Sequence, residues 1–188
     1  MKLKTESFFH HLNFNTDYCI FSLHNTKIIY DYFCLLDVHN KRTLNGNMFD
    51  VQFCCFMRHV TDMGMTYIMQ IFDLLDANGD GEIGFNEFYM LVCILVSSKH
   101  HVEQNFLDMH SRQAFELLDT DSSGAISFAE FECLAYLFNL KRNVLKKTFL
   151  DFDISGDKRL IYKEFRIFTK DCMTNPEKYK KKGHLKQM

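Results

Sequence analysis

A fourfold repeat limits this chain to very few folds. Four segments align on an aspartate: Asp37, Asp76, Asp119 and Asp153. Four residues before each stands a phenylalanine (Phe33, Phe72, Phe115, Phe149), and directly before each stands an apolar residue (Leu36, Leu75, Leu118, Phe152). Twelve residues after each stands a second phenylalanine (Phe49, Phe88, Phe131, Phe165), and the eighth position of each segment is aliphatic (Leu44, Ile83, Ile126, Leu160). Apolar residues at this spacing share one face of a helix that ends at the aspartate, and the later phenylalanine opens a second helix on its inner side. The repeat predicts helix–loop–helix units whose loops pair through short extended pieces, Leu44 with Ile83 and Ile126 with Leu160.

The loops say what such units are for. The stretch DLLDANGDGEIGFNEF gathers five acidic residues into sixteen, and that much like charge is stable only around a cation. The spacing is that of the EF-hand loop. Its 12 residues ligate Ca2+ through side chains at positions 1, 3, 5 and 12 and the carbonyl of position 7, with glycine at position 6 for a sharp turn. Loop two, DANGDGEIGFNE, is complete: Asp76, Asn78, Asp80 and Glu87 as side-chain ligands, Glu82 through its carbonyl, Gly81 at the turn. Loop three, DTDSSGAISFAE, is also complete, with Asp119, Asp121, Ser123 and Glu130, the Ala125 carbonyl and Gly124.

The outer two loops depart from this pattern. Loop four, DISGDKRLIYKE, keeps Asp153, Ser155, Asp157 and Glu164, with the Arg159 carbonyl, but puts Lys158 at the turn. A side chain in the left-handed conformation costs roughly 1–2 kcal/mol there, so weak binding is expected. Loop one, DVHNKRTLNGNM, keeps Asp37 but carries His39 and Lys41 at ligand positions, Arg42 at the turn and Met48 in place of the last glutamate. No hard cation suits that set, and the loop is expected to survive as loop two's pairing partner. Two readings of His39 stand side by side: a solvated loop histidine, or a pH sensor whose charging repels calcium in loop two.

The starts of the four loops lie 39, 43 and 34 residues apart. The widest gap places a joint after hand two, giving an all-α, calmodulin-like chain of four hands in two paired lobes. The expected N-terminal lobe is 1–98, the joint 99–110, the C-terminal lobe 111–173, and a basic, disordered tail 174–188. A single proline in 188 residues suits a helical body.

Composition excludes several classes. A net charge of −2 does not suit a nucleic-acid binder. The longest apolar run, FYMLVCILV, is far too short to span a bilayer and reads as a buried helix. Seven scattered cysteines with no Cys-x-x-Cys pair, and no secretory leader, point to a reducing, cytoplasmic setting without structural zinc. No nucleophile–base pair or phosphate loop stands out, so an enzyme is not expected.

Other features are read two ways. His100, His101 and His110 near the joint read as a polar linker or, less simply, a metal cluster. Met48, Met57, Met63, Met65, Met69 and Met90 suit an adaptable partner groove or an ordinary core. Lys178, Lys180, Lys181, Lys182 and Lys186 make a solvated end or a contact for acidic lipid or protein.

YFCLLDVHNKRTLN, RHVTD, FYMLVCILV, HSRQAFELLD and DFDISGDKRLIYKEF together resemble the EF-hand calcium-binding domain-containing protein 9 family. The resemblance covers roughly residues 1–170, and RHVTD and HSRQAFELLD carry it beyond the loops. It implies a cytoplasmic calcium sensor of the sperm flagellum, an auxiliary part of the sperm cation channel (CatSper) complex. It also implies the channel's zeta subunit as partner and coupling of calcium and alkalinisation to channel opening. The complete loops 76–87 and 119–130 depart from that family, whose second and third loops are eroded.

Overall fold

The computed structural model describes residues 3–4, 7–45, 52–76, 79–138 and 140–179. A 3-10 turn (Phe8–His11) and a small hairpin (β1, Phe14–Asn15; β2, Ile20–Phe21) lead into α1 (Leu23–Leu36), β3 (Thr43–Asn45) and α2 (Gln52–Val60). Then come α3 (Met65–Leu75), β4 (Glu82–Gly84) and α4 (Phe85–Lys99), followed by α5 (Glu103–Met109), α6 (Ser111–Leu118), β5 (Ala125–Ser127), α7 (Phe128–Glu132) and α8 (Leu134–Leu137). The last elements are α9 (Arg142–Phe152), β6 (Arg159–Ile161), α10 (Tyr162–Thr174) and α11 (Pro176–Tyr179). The fold is helix-rich, with short two-stranded ribbons between the helices, so all-α describes its bulk and not its loops.

The ribbons have the expected register. β3 runs antiparallel to β4 with Leu44 opposite Ile83, and β5 to β6 with Ile126 opposite Leu160; all four side chains are buried. The repeated phenylalanines meet across neighbouring units. Phe33 packs on Phe88 at a ring-centroid distance of 5.2 Å, and the equivalent pair Phe115–Phe165 lies at 5.7 Å. Phe131 and Phe149, from the other two helices of their pair, lie at 5.5 Å. Phe49 and Met48 fall outside the described residues. FYMLVCILV is α4, buried from Leu91 through Val96. Met57 is a core residue and Met63, Met69 and Met90 pack against the core, so these methionines serve the interior; Met65 is exposed.

Two expectations are corrected. The segment 99–110 is not a polar joint. Its turn covers only His100–Val102, and α5 buries Glu103, Gln104, Phe106 and Leu107. Arg166 of α10 pairs with the Asp108 side chain and donates to the Asp108 carbonyl at 2.6 Å, which fixes α5 to α10. Disorder from residue 174 onward is also wrong as far as Tyr179. That tyrosine is fully buried, its ring edge-on to Phe168 at 5.7 Å, its hydroxyl on Asp171, and its carbonyl accepting the Lys141 N–H at 2.8 Å. Burying one aromatic ring stabilises by a few kcal/mol, enough to order a short turn. Lys180, Lys181, Lys182 and Lys186 lie outside the described residues.

The N-terminal extension packs on the first unit. Lys4 N–H donates to Val60 O at 2.8 Å, and Phe9, wholly buried, sits edge-on to Phe56 at 6.0 Å. His100 and His110 take separate partners: His100 stacks on Phe14 at 5.9 Å, and His110 donates its Nε2–H to Tyr18 O at 3.0 Å. No described helix is long and apolar enough to cross a membrane.

Candidate metal sites in the loops

The loops share one backbone form. Position 4 has positive φ in each: Asn40 (53°), Gly79 (68°), Ser122 (51°) and Gly156 (73°). Position 6 does too: Arg42 (62°), Gly81 (79°), Gly124 (79°) and Lys158 (65°). The turn therefore forms whether or not glycine is present, and Arg42 and Lys158 carry the strain.

The position-1 aspartate holds that turn. Its Oδ2 accepts the position-6 N–H in every loop: Asp37 from Arg42 at 2.6 Å, Asp76 from Gly81 at 2.9 Å, Asp119 from Gly124 at 2.8 Å and Asp153 from Lys158 at 2.9 Å. Asp37 is buried and also accepts the Lys41 N–H at 3.0 Å, so the turn of the loop without a ligand set keeps the shape of the others.

Position 12 closes the loop. Glu130 Oε1 accepts from Thr120 N (3.0 Å) and Oγ1 (2.9 Å), while Oε2 accepts from Ser127 N and Oγ, both at 2.7 Å. Ser127 is also the N-cap of α7, so the last ligand position doubles as the helix's capping glutamate. Burial raises the Glu130 pKa, but the bonds from Ser127 and Thr120 outweigh it and hold the carboxyl below its usual value. Glu164 repeats the arrangement, accepting Ser155 N at 2.9 Å and Ile161 N at 3.0 Å. In loop two a Cβ at Gly84 would fall 2.8 Å from Glu87 Oε2, so glycine gives that carboxylate its room.

In loop three the carboxylates converge. One oxygen each from Asp119, Asp121 and Glu130 lie within 4.8 Å of one another. Ser123 stands among them, its N–H reaching Asp119 Oδ1 at 2.9 Å and its hydroxyl donating to Ala125 O at 2.9 Å. Bonds from the Ser123 side chain and backbone hold the Asp121 carboxyl below its ordinary range. Loop two gives a different sign: Asp76 Oδ1 is buried with no hydrogen-bond partner among the described residues. A buried carboxylate oxygen without a donor is costly unless a cation meets it. Asp80 is exposed and accepts the Glu82 N–H at 2.9 Å; Asn78 lies outside the described residues. In loop four, Asp157 Oδ1 accepts the Arg159 N–H at 2.9 Å and Ser155 Oγ donates to Asp153 Oδ1 at 3.2 Å. Glu82 and Arg159 lie in strands, as carbonyl ligands at position 7 would, and His39 is exposed in loop one.

Sequence reasoning missed two contacts around these loops. Thr120, at position 2, bonds Glu130, and Arg159 Nη2 reaches Asp121 Oδ2 at 3.2 Å. A threonine hydroxyl in an acidic loop was the available signal for the first. The second crosses between loops, and spacing within one loop does not reveal it.

Acidic loops held open by paired aspartate and amide, and closed by a capping glutamate, define helix–loop–helix units of the class that suits hard divalent cations. The chain matches the EF-hand domain pair over residues 65–136 and 108–170 and belongs to that family, in which Ca2+ binding is characteristic. The first match spans hands two and three, whereas the ribbons join loop one to two and loop three to four. The residues described here fit the ion: oxygen donors only, convergent in loop three and partnerless in loop two.

Proposed function

We propose that this chain is a calcium sensor of four hands in two lobes, which binds the ion at loops two and three, weakly at loop four, and hands a change of shape to a protein partner. The convergence of Asp119, Asp121 and Glu130 carries the reading. A bound divalent cation supplies the positive charge that these carboxylates otherwise lack. Glu130 and Glu87 are the switching residues, because each opens a leaving helix as well as closing a loop. A site filled to about a hundred times its dissociation constant stabilises the bound form by roughly 2.7 kcal/mol. Two fully discriminating sites therefore come to about 5.5 kcal/mol, enough to invert a 1:99 equilibrium.

The partner in this reading is the zeta subunit and cytoplasmic parts of the sperm cation channel complex, in the flagellum, a proposal that rests on the family resemblance of the quoted segments. His39, exposed in loop one, is either a solvated loop histidine or a pH sensor whose charging repels calcium in loop two. A second reading, a scaffold or buffer that barely opens, draws on Phe9 and Tyr179, which already occupy the interior of the first and last units. Calorimetric calcium titration at pH 6 and 7.5, with a hydrophobic dye and with His39→Gln alongside, tests these readings. Micromolar binding with dye uptake supports the sensor. Binding without dye uptake supports the second reading, and pH dependence unchanged in His39→Gln removes the pH role.

A further inference from the structure

The convergent carboxylates of loop three are met by a cation of the protein's own. Arg159 stands on β6 opposite Ser127 of β5, and its guanidinium reaches Asp121 Oδ2 at 3.2 Å. We propose that Arg159 is a built-in counter-cation of the loop-three site, lowering that site's calcium affinity and coupling it to loop four. The inference rests on the calcium-binding reading above and deepens it.

Three observations carry it. Asp121 is one of the three carboxylates that converge, so a charge placed on it acts on the site itself. Arg159 occupies position 7 of its own loop, where the carbonyl is the ligand, so its side chain is available to the neighbouring loop. A guanidinium stays protonated throughout the accessible pH range, which makes its opposition to a second cation constant. The first ribbon shows the same direction of traffic: Lys41 of loop one lies 3.4 Å from Glu82 Oε1 of loop two. In both ribbons the loop with the poorer turn residue sends a cation to the better one. Only Arg159 lands on a side-chain ligand, so only Arg159 tunes affinity directly.

Coupling follows from connectivity. β6 runs from Arg159 straight into α10, whose capping residue is Glu164. When Asp121 engages calcium, its hold on Arg159 weakens, and the strand that positions the last ligand of loop four loses one restraint. The pair is partly solvated, with 41% of the Arg159 side chain and 56% of the Asp121 side chain exposed, so the effect is moderate and salt-sensitive.

The test uses the full chain and follows the Gly124 amide resonance, which reports loop three alone, through calcium titrations of wild type, Arg159→Gln, Arg159→Lys and Glu130→Gln. Arg159→Gln is expected to bind roughly two- to fivefold tighter at loop three. Arg159→Lys should stay near wild type, and the gap between Gln and wild type should close in about 1 M salt, where the Debye length is about 3 Å. Equal affinity of Arg159→Gln and wild type overturns the proposal, as does a gap that persists in high salt. A Gly124 resonance that ignores calcium in the wild type, with Glu130→Gln indistinguishable, overturns the calcium reading and this proposal with it. Metal-free melting curves confirm that each variant is folded.

Discussion

Glu130 holds Thr120 by two bonds from one oxygen, 3.0 Å to the amide and 2.9 Å to the hydroxyl, and so ties the last residue of loop three to its second. The carboxylate that would ligate the ion is thus already drawn over the loop. Glu130→Gln removes a charge from the ligand set and weakens both the loop closure and the α7 cap. Calcium affinity at loop three should fall at least about tenfold, since ligand charge sets EF-hand affinity over decades. Calorimetry should show one site fewer at micromolar calcium, with Glu87→Gln removing a second.

Lys158 sits at φ 65° where loops two and three have glycine. Lys158→Gly should relieve roughly 1 kcal/mol of backbone strain and tighten calcium binding at loop four. The Gly156 amide resonance, followed through a titration, checks this, and unchanged affinity would mean that the strain is absorbed elsewhere.

Tyr179 packs its ring on Phe168 and its hydroxyl on Asp171, with Lys178 Nζ 3.0 Å from the same carboxylate oxygen. Tyr179→Ala empties a wholly buried aromatic position and should cost about 3 kcal/mol or more. Tyr179→Phe removes only the hydroxyl and should cost about 1–2 kcal/mol. Chemical denaturation measures both, and the order Ala > Phe is the decisive feature.

Asp121 and Glu130 both titrate below their ordinary values of 3.8 and 4.5. A carboxyl whose folded pKa is lowered stabilises the fold fully above its unfolded pKa, and that contribution disappears as pH falls through the folded value. Metal-free melting temperature should therefore be insensitive to these groups above about pH 5 and decline below their ordinary range. In Glu130→Gln the acid decline should be shallower. A variant as steep as wild type would assign the decline to other carboxyls.

Much of the loop architecture could be read from the sequence because it repeats. Leu44, Ile83, Ile126 and Leu160 each recur at one position, so their pairing follows from the alignment alone, and the ribbons adopt it. What lay outside the repeat was harder. Phe106 and Leu107 continue the buried spacing of Ala114, Phe115 and Leu118 backward, but His110 interrupts the helix and polar neighbours disguise α5 as a linker. Phe9 has no periodic company, and Tyr179 is one ring among lysines. Their burial depends on surfaces contributed by distant helices, which no local pattern encodes. The Arg159–Asp121 pair likewise exists only once two loops are side by side.

Asp37 has a wider consequence. It opens a loop with no usable ligand set, yet it is buried, and like its three counterparts it is bound to the backbone of the turn. An opening aspartate is therefore a record of shape and says little about stoichiometry. Ligands can be pruned from such a loop one substitution at a time while the turn still forms. Ion capacity in chains of this kind should accordingly be counted at the later ligand positions and not at the opening aspartate.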